Sequence, residues 1–212
     1  MSRGRFIALE GGEGAGKSTQ ARLLAGALRA RGLDVLLTRE PGGTPGAEAI
    51  RALLLDPPGE GWEPQAEALL FAAARADHVA RSILPALEAG KWVVCDRFLD
   101  SSRAYQGGGG GLCDEDILDL HRIGSGGLLP DVTLLIGASP RTIDARLARR
   151  DGGESDAIGG RDEAYHAQVS AAFRRFADAE PARFLCIDSD GSPDQTHALI
   201  LDALTPLLDA AG

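Results

Sequence analysis

The period of the apolar positions changes repeatedly along the chain, from short runs that suit buried strands to the three-and-four spacing of helices. Phe6-Ile7-Ala8-Leu9-Glu10 is an apolar run of strand length, and a glycine-rich turn follows it. Ala21, Leu24, Ala25 and Leu28 then recur at helical spacing until Gly32. Val35-Leu36-Leu37-Thr38 reads as a second strand, and Ile50, Leu53 and Leu54 mark a helix face that ends before Pro57-Pro58-Gly59. From Pro64 to Gly90 the pattern predicts a long alanine-rich helix (Ala68, Leu69, Ala72, Val79, Ile83, Leu87), with Pro85 as a kink or break. Lys91 to Asp96 is a buried strand, and the five glycines Gly107–Gly111 read as a flexible loop rather than an element. Strands over Pro130–Ile136 and Arg183–Asp188 enclose a helix over Ile143–Arg149, a polar glycine-rich stretch over Asp151–Arg161 and a helix over Glu163–Ala179. A last helix covers Pro193–Leu208. Strands alternating with helices predict an α/β fold: a doubly wound parallel sheet of about five strands flanked by helices, in one domain over residues 1–212.

The first turn carries chemistry. Gly11, four residues, then Gly16-Lys17-Ser18 is the P-loop pattern, and it stands between a strand and a helix as that motif requires. Its glycines let backbone N–H groups face a phosphate chain at the positive end of the following helix. Lys17 reaches the β- and γ-phosphates and Ser18 is placed to ligate Mg²⁺. The chain therefore binds a nucleoside triphosphate. The apolar run ending in Asp96 matches the strand that supplies the second Mg²⁺ anchor in this class. Arg39-Glu40-Pro41-Gly42-Gly43-Thr44 is a breaker-rich loop at the carboxyl edge of the sheet, where open α/β folds bind ligands. Arg39 and Glu40 are expected to pair and shape that loop.

Charge and composition narrow the partners. A net charge of −9 argues against polymeric nucleic acid, whose phosphates need a basic face. A small phosphorylated ligand can still bind if a few cations converge. Only Lys17 and Lys91 are lysines, which fits arginine-rich codon usage and leaves Lys17 conspicuous. Cys95, Cys113 and Cys186 are widely spaced, neither a disulfide framework nor a zinc site. No apolar run approaches the ~18 residues of a membrane span, and the N-terminus reads as strand and P-loop rather than signal peptide, so a cytoplasmic protein is expected. The chain contains no asparagine, which removes the guanine-reading Asn-Lys-x-Asp motif of GTPases. His78, His121, His166 and His197 are scattered, and core or surface roles suffice for them.

Six segments, in order and spacing, resemble thymidylate kinases of the bacterial type over almost the whole length. They are Glu10–Thr19, Thr38–Thr44, Ile50–Asp56, Leu70–Arg75 with His78, Asp96-Arg97-Phe98, and Ser101–Gly107. The resemblance implies Mg²⁺-dependent transfer of a phosphoryl group from ATP to dTMP, giving dTDP for DNA precursor supply, by a homodimer. It assigns ATP to Gly11-Gly12-Glu13-Gly14-Ala15-Gly16-Lys17-Ser18-Thr19 and to Arg146, which would lie against adenine. It assigns the metal to Ser18 and Asp96. On the acceptor side Phe71 would stack on thymine, and Arg75, one turn on, would donate to a base carbonyl. Ser102 stands where relatives carry Thr or Asn, Gln106 joins the substrate set, and Tyr105 would fill the space of a ribose 2′-hydroxyl. Arg51 and Arg97 would hold the acceptor phosphate, and Glu13 would meet the sugar or acceptor side. Apart from the resemblance, Phe71 reads as helix core, Tyr105 as an ordinary half-buried tyrosine and Arg51 as a solvated helix position.

One departure stands out. Relatives lacking an arginine in the P-loop carry catalytic arginines in a lid, here about 149–162, with an Asp-Arg-Ile/Phe-Glu signature. This chain reads Asp156-Ala157-Ile158-Gly159. Arg149 or Arg150 is therefore expected to join Lys17 and Arg97 as the catalytic set, with Arg161 as the alternative. Two other readings stay open on sequence: a kinase of the same architecture with another acceptor, and a P-loop protein that uses nucleotide state to regulate a partner.

Overall fold

Residues 3–149 and 160–209 are described in the computed structural model of the chain. The elements run β1 (Phe6–Glu10), α1 (Lys17–Ala30), β2 (Val35–Arg39), α2 (Pro45–Leu55), α3 (Pro64–His78), α4 (Leu84–Glu88) and β3 (Trp92–Asp96). They continue with α5 (Leu99–Ser102), α6 (Asp114–Ser125), β4 (Val132–Gly137), α7 (Pro140–Arg149), α8 (Glu163–Ala179), β5 (Phe184–Asp188), α9 (Pro193–Ala203) and α10 (Thr205–Asp209). The five strands form one parallel sheet in the order β2-β3-β1-β4-β5. β1 thus lies between β3 and β4, and the loops after β1 and β3 leave the same carboxyl edge side by side.

Alternation along β1 divides the core. Ile7 and Leu9 face Leu24, Leu28, Val94, Leu134 and Ile136 on the α1/α9 side. Phe6 and Ala8 face Ile83, Leu87, Val93 and Phe98 on the α3/α4/α6 side. Both faces are covered, which is why the strands read as unbroken apolar runs. Each such Leu, Ile or Phe contributes roughly 1.5–3 kcal/mol relative to exposure. A smaller cluster joins Tyr105 to Tyr165, Val169 and Phe173 of α8.

The predicted long helix follows one path but not one geometry. α3 widens into a π-helical turn over Val79–Ile83 before α4, and Leu84 N–H bonds Val79 O. Pro85 has no N–H to give, and the wider turn accommodates the missing bond. The predicted last helix divides into α9 and α10. α6 is absent from the sequence reading because its first turn is Asp114-Glu115-Asp116 and only Ile117, His121 and Ser125 are buried, a weak apolar stripe.

The five-glycine loop is a correction. Gly107, Gly108 and Gly109 belong to a π-helical segment over Arg103–Gly109 that carries Tyr105 and Gln106. A Cβ on Gly108 would stand 2.6 Å from Ala172 Cβ, and one on Gly109 would stand 2.5 Å from the Tyr165 ring. Gly108 and Gly109 are there for close approach to α8, not for flexibility.

Candidate active site

One cleft of about 1020 Å³ opens along the carboxyl edge of the sheet. At one end lie the P-loop, Arg141, Arg146 and the loop Ser189–Pro193. At the other lie Arg51, Phe71, Arg75, Ser102, Tyr105 and Gln106, with Asp96 and Arg97 among the residues that line it.

The P-loop starts where β1 ends. Gly11, Gly14 and Gly16 take positive φ, and a Cβ on Gly11 would lie 2.3 Å from Ile136 O, so the turn admits only glycine there. Gly12, Glu13, Ala15, Ser18 and Thr19 complete it, all but Gly12 lining the cleft. Lys17 Nζ donates to Gly12 O at 2.6 Å. Burial, and after it the Arg97 charge, lower Lys17 to about 7; phosphates brought against it favour the ammonium form. Arg146 Nη1 donates to Ala15 O at 3.1 Å and to Ser189 Oγ at 3.2 Å, tying the P-loop to the β5–α9 loop.

Ser18 Oγ donates to Asp96 Oδ2, and Asp96 Oδ1 is buried with no hydrogen-bond partner among the described residues. A hydroxyl beside a carboxylate with an orphaned oxygen is a hard-oxygen set that fits Mg²⁺ shared with substrate phosphates.

Arg97 follows at φ 67°, a left-handed backbone unusual for arginine. Its guanidinium donates to Ser101 Oγ at 3.1 Å, to Gly11 O at 3.3 Å and to Tyr105 Oη at 3.3 Å, and lies 4.9 Å from the Tyr105 ring centroid. Glu10 holds this turn from behind. Its carboxylate accepts from Phe98 N at 2.8 Å, Ser101 N at 3.1 Å and Ser101 Oγ at 2.6 Å. Burial, then Asp100, raise Glu10 to about 7 against those donors and Arg97, which favour the charged form.

On α3, Phe71 is half-buried on the cleft wall, and Arg75 sits one turn on. Arg75 Nε donates to Glu40 Oε2 at 2.7 Å, and Nη2 donates to Ser102 Oγ at 2.8 Å and Phe98 O at 3.1 Å. Glu40 Oε1 is 3.0 Å from His78 Nδ1. The expected Arg39–Glu40 pair is therefore corrected: Arg39 Nη2 reaches Glu48, 3.0 Å from both oxygens, and Glu40 turns inward. Arg51 Nη1 donates to Pro41 O at 2.8 Å. Gln106 Nε2 donates to Glu67 Oε1 at 2.8 Å.

The side chain of Arg149, Arg150 as a whole and the Asp156–Gly159 stretch lie outside the described residues. Arg161 is described and does not line the cleft; it donates to Glu67 and to Tyr165 Oη. Sequence reasoning missed Glu10, Glu67, Arg141 and the Ser189–Pro193 loop. An acidic residue closing an apolar strand signals a buried carboxylate in need of donors, and Asp188-Ser189-Asp190-Gly191-Ser192-Pro193 is a breaker-rich turn at a parallel strand's carboxyl end.

A parallel sheet whose P-loop opens into one cleft with a second, aromatic- and arginine-lined half belongs to a nucleoside monophosphate kinase. Comparison with known proteins gives the particular kind. The family model for thymidylate kinase matches residues 9–200. A thymidylate kinase of Rhizorhabdus wittichii is 61% identical over 97% of this chain and 99% of its own. One from Chromohalobacter salexigens is 48% identical over 98% of each. The crystal structure of thymidylate kinase from Ehrlichia chaffeensis superposes with a TM-score of 0.79 at 31% identity, covering 95% of this chain and 99% of that one. The chain belongs to the thymidylate kinase family.

Proposed function

We propose that the protein transfers the γ-phosphoryl group of ATP to dTMP, with Mg²⁺, giving ADP and dTDP, as a cytoplasmic homodimer whose residues 1–212 form one kinase domain. The observation that carries this reading is the continuity of the cleft, which runs from Lys17 and Ser18 past Arg97 to Phe71 and Arg75. Two nucleotides laid end to end in it meet at their phosphates.

A phosphate monoester with its second pKa near ~6 is already a nucleophile at neutral pH, so no general base is required. The work left to the protein is positioning and charge neutralisation. P-loop N–H groups and Lys17 orient the donor phosphates, and Arg146 with the Ser189–Pro193 loop bounds the adenine end. Mg²⁺, held by Ser18 Oγ and Asp96, would supply further neutralisation of the phosphate oxygens. Arg97 and Arg51 grip the acceptor phosphate through the planar guanidinium fork. Phe71 stacks on the base and Arg75 offers Nη1, which bonds no described residue, to the carbonyl at C4. Gln106 and Ser102 meet the pyrimidine edge, Tyr105 occupies the 2′-hydroxyl side, and Glu13 faces the sugar. Arg149 or Arg150 completes the cation set at the transferred group. Exposed Leu53, Leu69 and Ile123 on α2, α3 and α6 offer apolar surface to a second subunit. Among the described residues no helix is long and apolar enough to cross a membrane.

ADP release with Mg·ATP and each of dTMP, dUMP, dCMP and thymidine tests the reading. Saturable turnover led by dTMP supports it. Turnover led by thymidine, or ATP hydrolysis unaffected by any acceptor, refutes it.

A further inference from the structure

We propose that Glu67, acting through Gln106, is the positioning residue that sets which pyrimidine the acceptor half of the cleft takes, and that Arg161 fixes Glu67 for that task. This rests on the reading of Gln106 as a wall of the base pocket.

Glu67, Phe71 and Arg75 stand at i, i+4 and i+8 on α3, so they lie along one side of the helix. Phe71 and Arg75 line the cleft; Glu67 is buried behind Gln106. A carboxylate oxygen can only accept, and the Gln106 amide stands 2.8 Å from it. The amide nitrogen must therefore face Glu67, and Gln106 Oε1 is turned away from it. That oxygen accepts no bond from the described residues, and Gln106 is part of the cleft wall. The second Glu67 oxygen is held by Arg161 Nη2, while Arg161 Nη1 donates to Tyr165 Oη at 2.6 Å. Tyr165 Oη in turn donates to Tyr105 O at 2.9 Å, on the same segment as Gln106. Every link in this chain has a donor facing an acceptor, so the amide has one orientation.

The consequence is chemical selection. Thymine and uracil carry an N3–H donor; cytosine carries a bare N3 acceptor. An Oε1 held toward that edge accepts from the first two and opposes the third. Arg75, a donor only, applies the same sense at C4, where thymine has a carbonyl and cytosine an amino group.

Glu67→Gln gives a sharp test. Arg161 has only donors, so it draws the new carbonyl to itself and leaves the new amide nitrogen facing Gln106. Gln106 then turns its oxygen toward position 67 and presents Nε2–H to the base. The ratio of kcat/KM for dTMP over dCMP is expected to fall at least ~10-fold, mostly through KM for dTMP. Where dCMP is not turned over, its inhibition constant against dTMP replaces its kcat/KM. Adding Arg161→Met to E67Q restores part of the ratio, because the position 67 amide is no longer forced. In a Gln106→Ala background E67Q changes the ratio no further. A merely structural loss weakens both nucleotides alike and leaves the ratio in place. Should E67Q not fold, R161M alone decides, with an expected fall of about 3-fold. A wild type that does not phosphorylate dTMP refutes the acceptor reading itself. A wild type that does, with a ratio unchanged within twofold in E67Q, or in R161M where E67Q does not fold, overturns this proposal alone.

Discussion

Glu40 and Glu48 should respond to the same conservative change by very different amounts. Glu40 and Arg75 are each about 4% exposed at the side chain and bonded at 2.7 Å, and the other Glu40 oxygen meets buried His78 at 3.0 Å. Glu40→Gln forces a rearrangement: its new carbonyl can accept from Arg75 Nε only with the N–H₂ facing His78, whose Nδ1 must then be the unprotonated ring nitrogen while Nε2–H faces Thr38 Oγ1. The buried guanidinium also loses its counter-charge, and breaking such a pair costs roughly 3–5 kcal/mol. Glu48→Gln breaks the Arg39 pair, whose side chains are 52% and 41% exposed, and the loss there is about 0–1 kcal/mol. Urea unfolding of wild type, E40Q and E48Q measures both. The double variant E40Q/R75M should be more stable than E40Q, because removing the stranded cation removes most of the penalty. An E40Q protein within about 1 kcal/mol of wild type, or a double variant no better than E40Q, would refute the buried-pair argument. E40Q should also raise KM for dTMP, since the brace at Arg75 Nε loses its charge.

Three further outcomes follow from particular contacts. Arg97→Lys keeps the charge but cannot hold Gly11, Ser101 and Tyr105 while gripping a phosphate, so kcat/KM should drop by ~100-fold or more, with unfolding unchanged as the control. Gly109→Ala drives a methyl to 2.5 Å from the Tyr165 ring; overpacking of about 1–3 kcal/mol should lower the melting temperature, and a melt matching wild type would contradict the close approach. Burial, then Arg75, lower His121 to about 4, below its ordinary value of 6.5. The unfolded chain binds that proton first, so this stability is complete above pH 6.5 and is lost as pH falls through 4. Urea titrations from pH 8 to 4 should show the slope, and His121→Gln should flatten it.

Legibility in the sequence followed the range of the interactions involved. The P-loop was readable because its work is done by consecutive backbone groups, and the strands because both sheet faces are apolar. The bounds of α8 were readable too, since Asp162 caps it by accepting from Tyr165 N. The glycines at 108 and 109 were misread because rigidity there is decided by Ala172 and Tyr165, about sixty residues away. Arg39 and Glu40 were misread for a nearer reason. Neighbours at a strand end point to opposite faces, so one reached solvent and Glu48 while the other turned inward to Arg75.

The same lesson bears on charge. A chain of net −9 is ill suited to anions as a whole, yet Glu10, Glu40 and Asp100 are buried and bonded to other residues of the protein. Glu40 braces Arg75, Glu10 anchors the turn that carries Arg97, and Asp100 joins Arg103 and Arg183 beneath that turn. The Glu40 carboxylate fixes the Arg75 guanidinium by one edge, and Glu10 fixes Arg97 indirectly, through the turn that carries it. An arginine held this way gives up little side-chain entropy when a phosphate or a carbonyl arrives, which is what pre-organisation requires. Total charge is then a poor guide to what the cleft binds. The informative quantity is which edge of each arginine is already occupied, and that depends on tertiary contacts no local pattern carries.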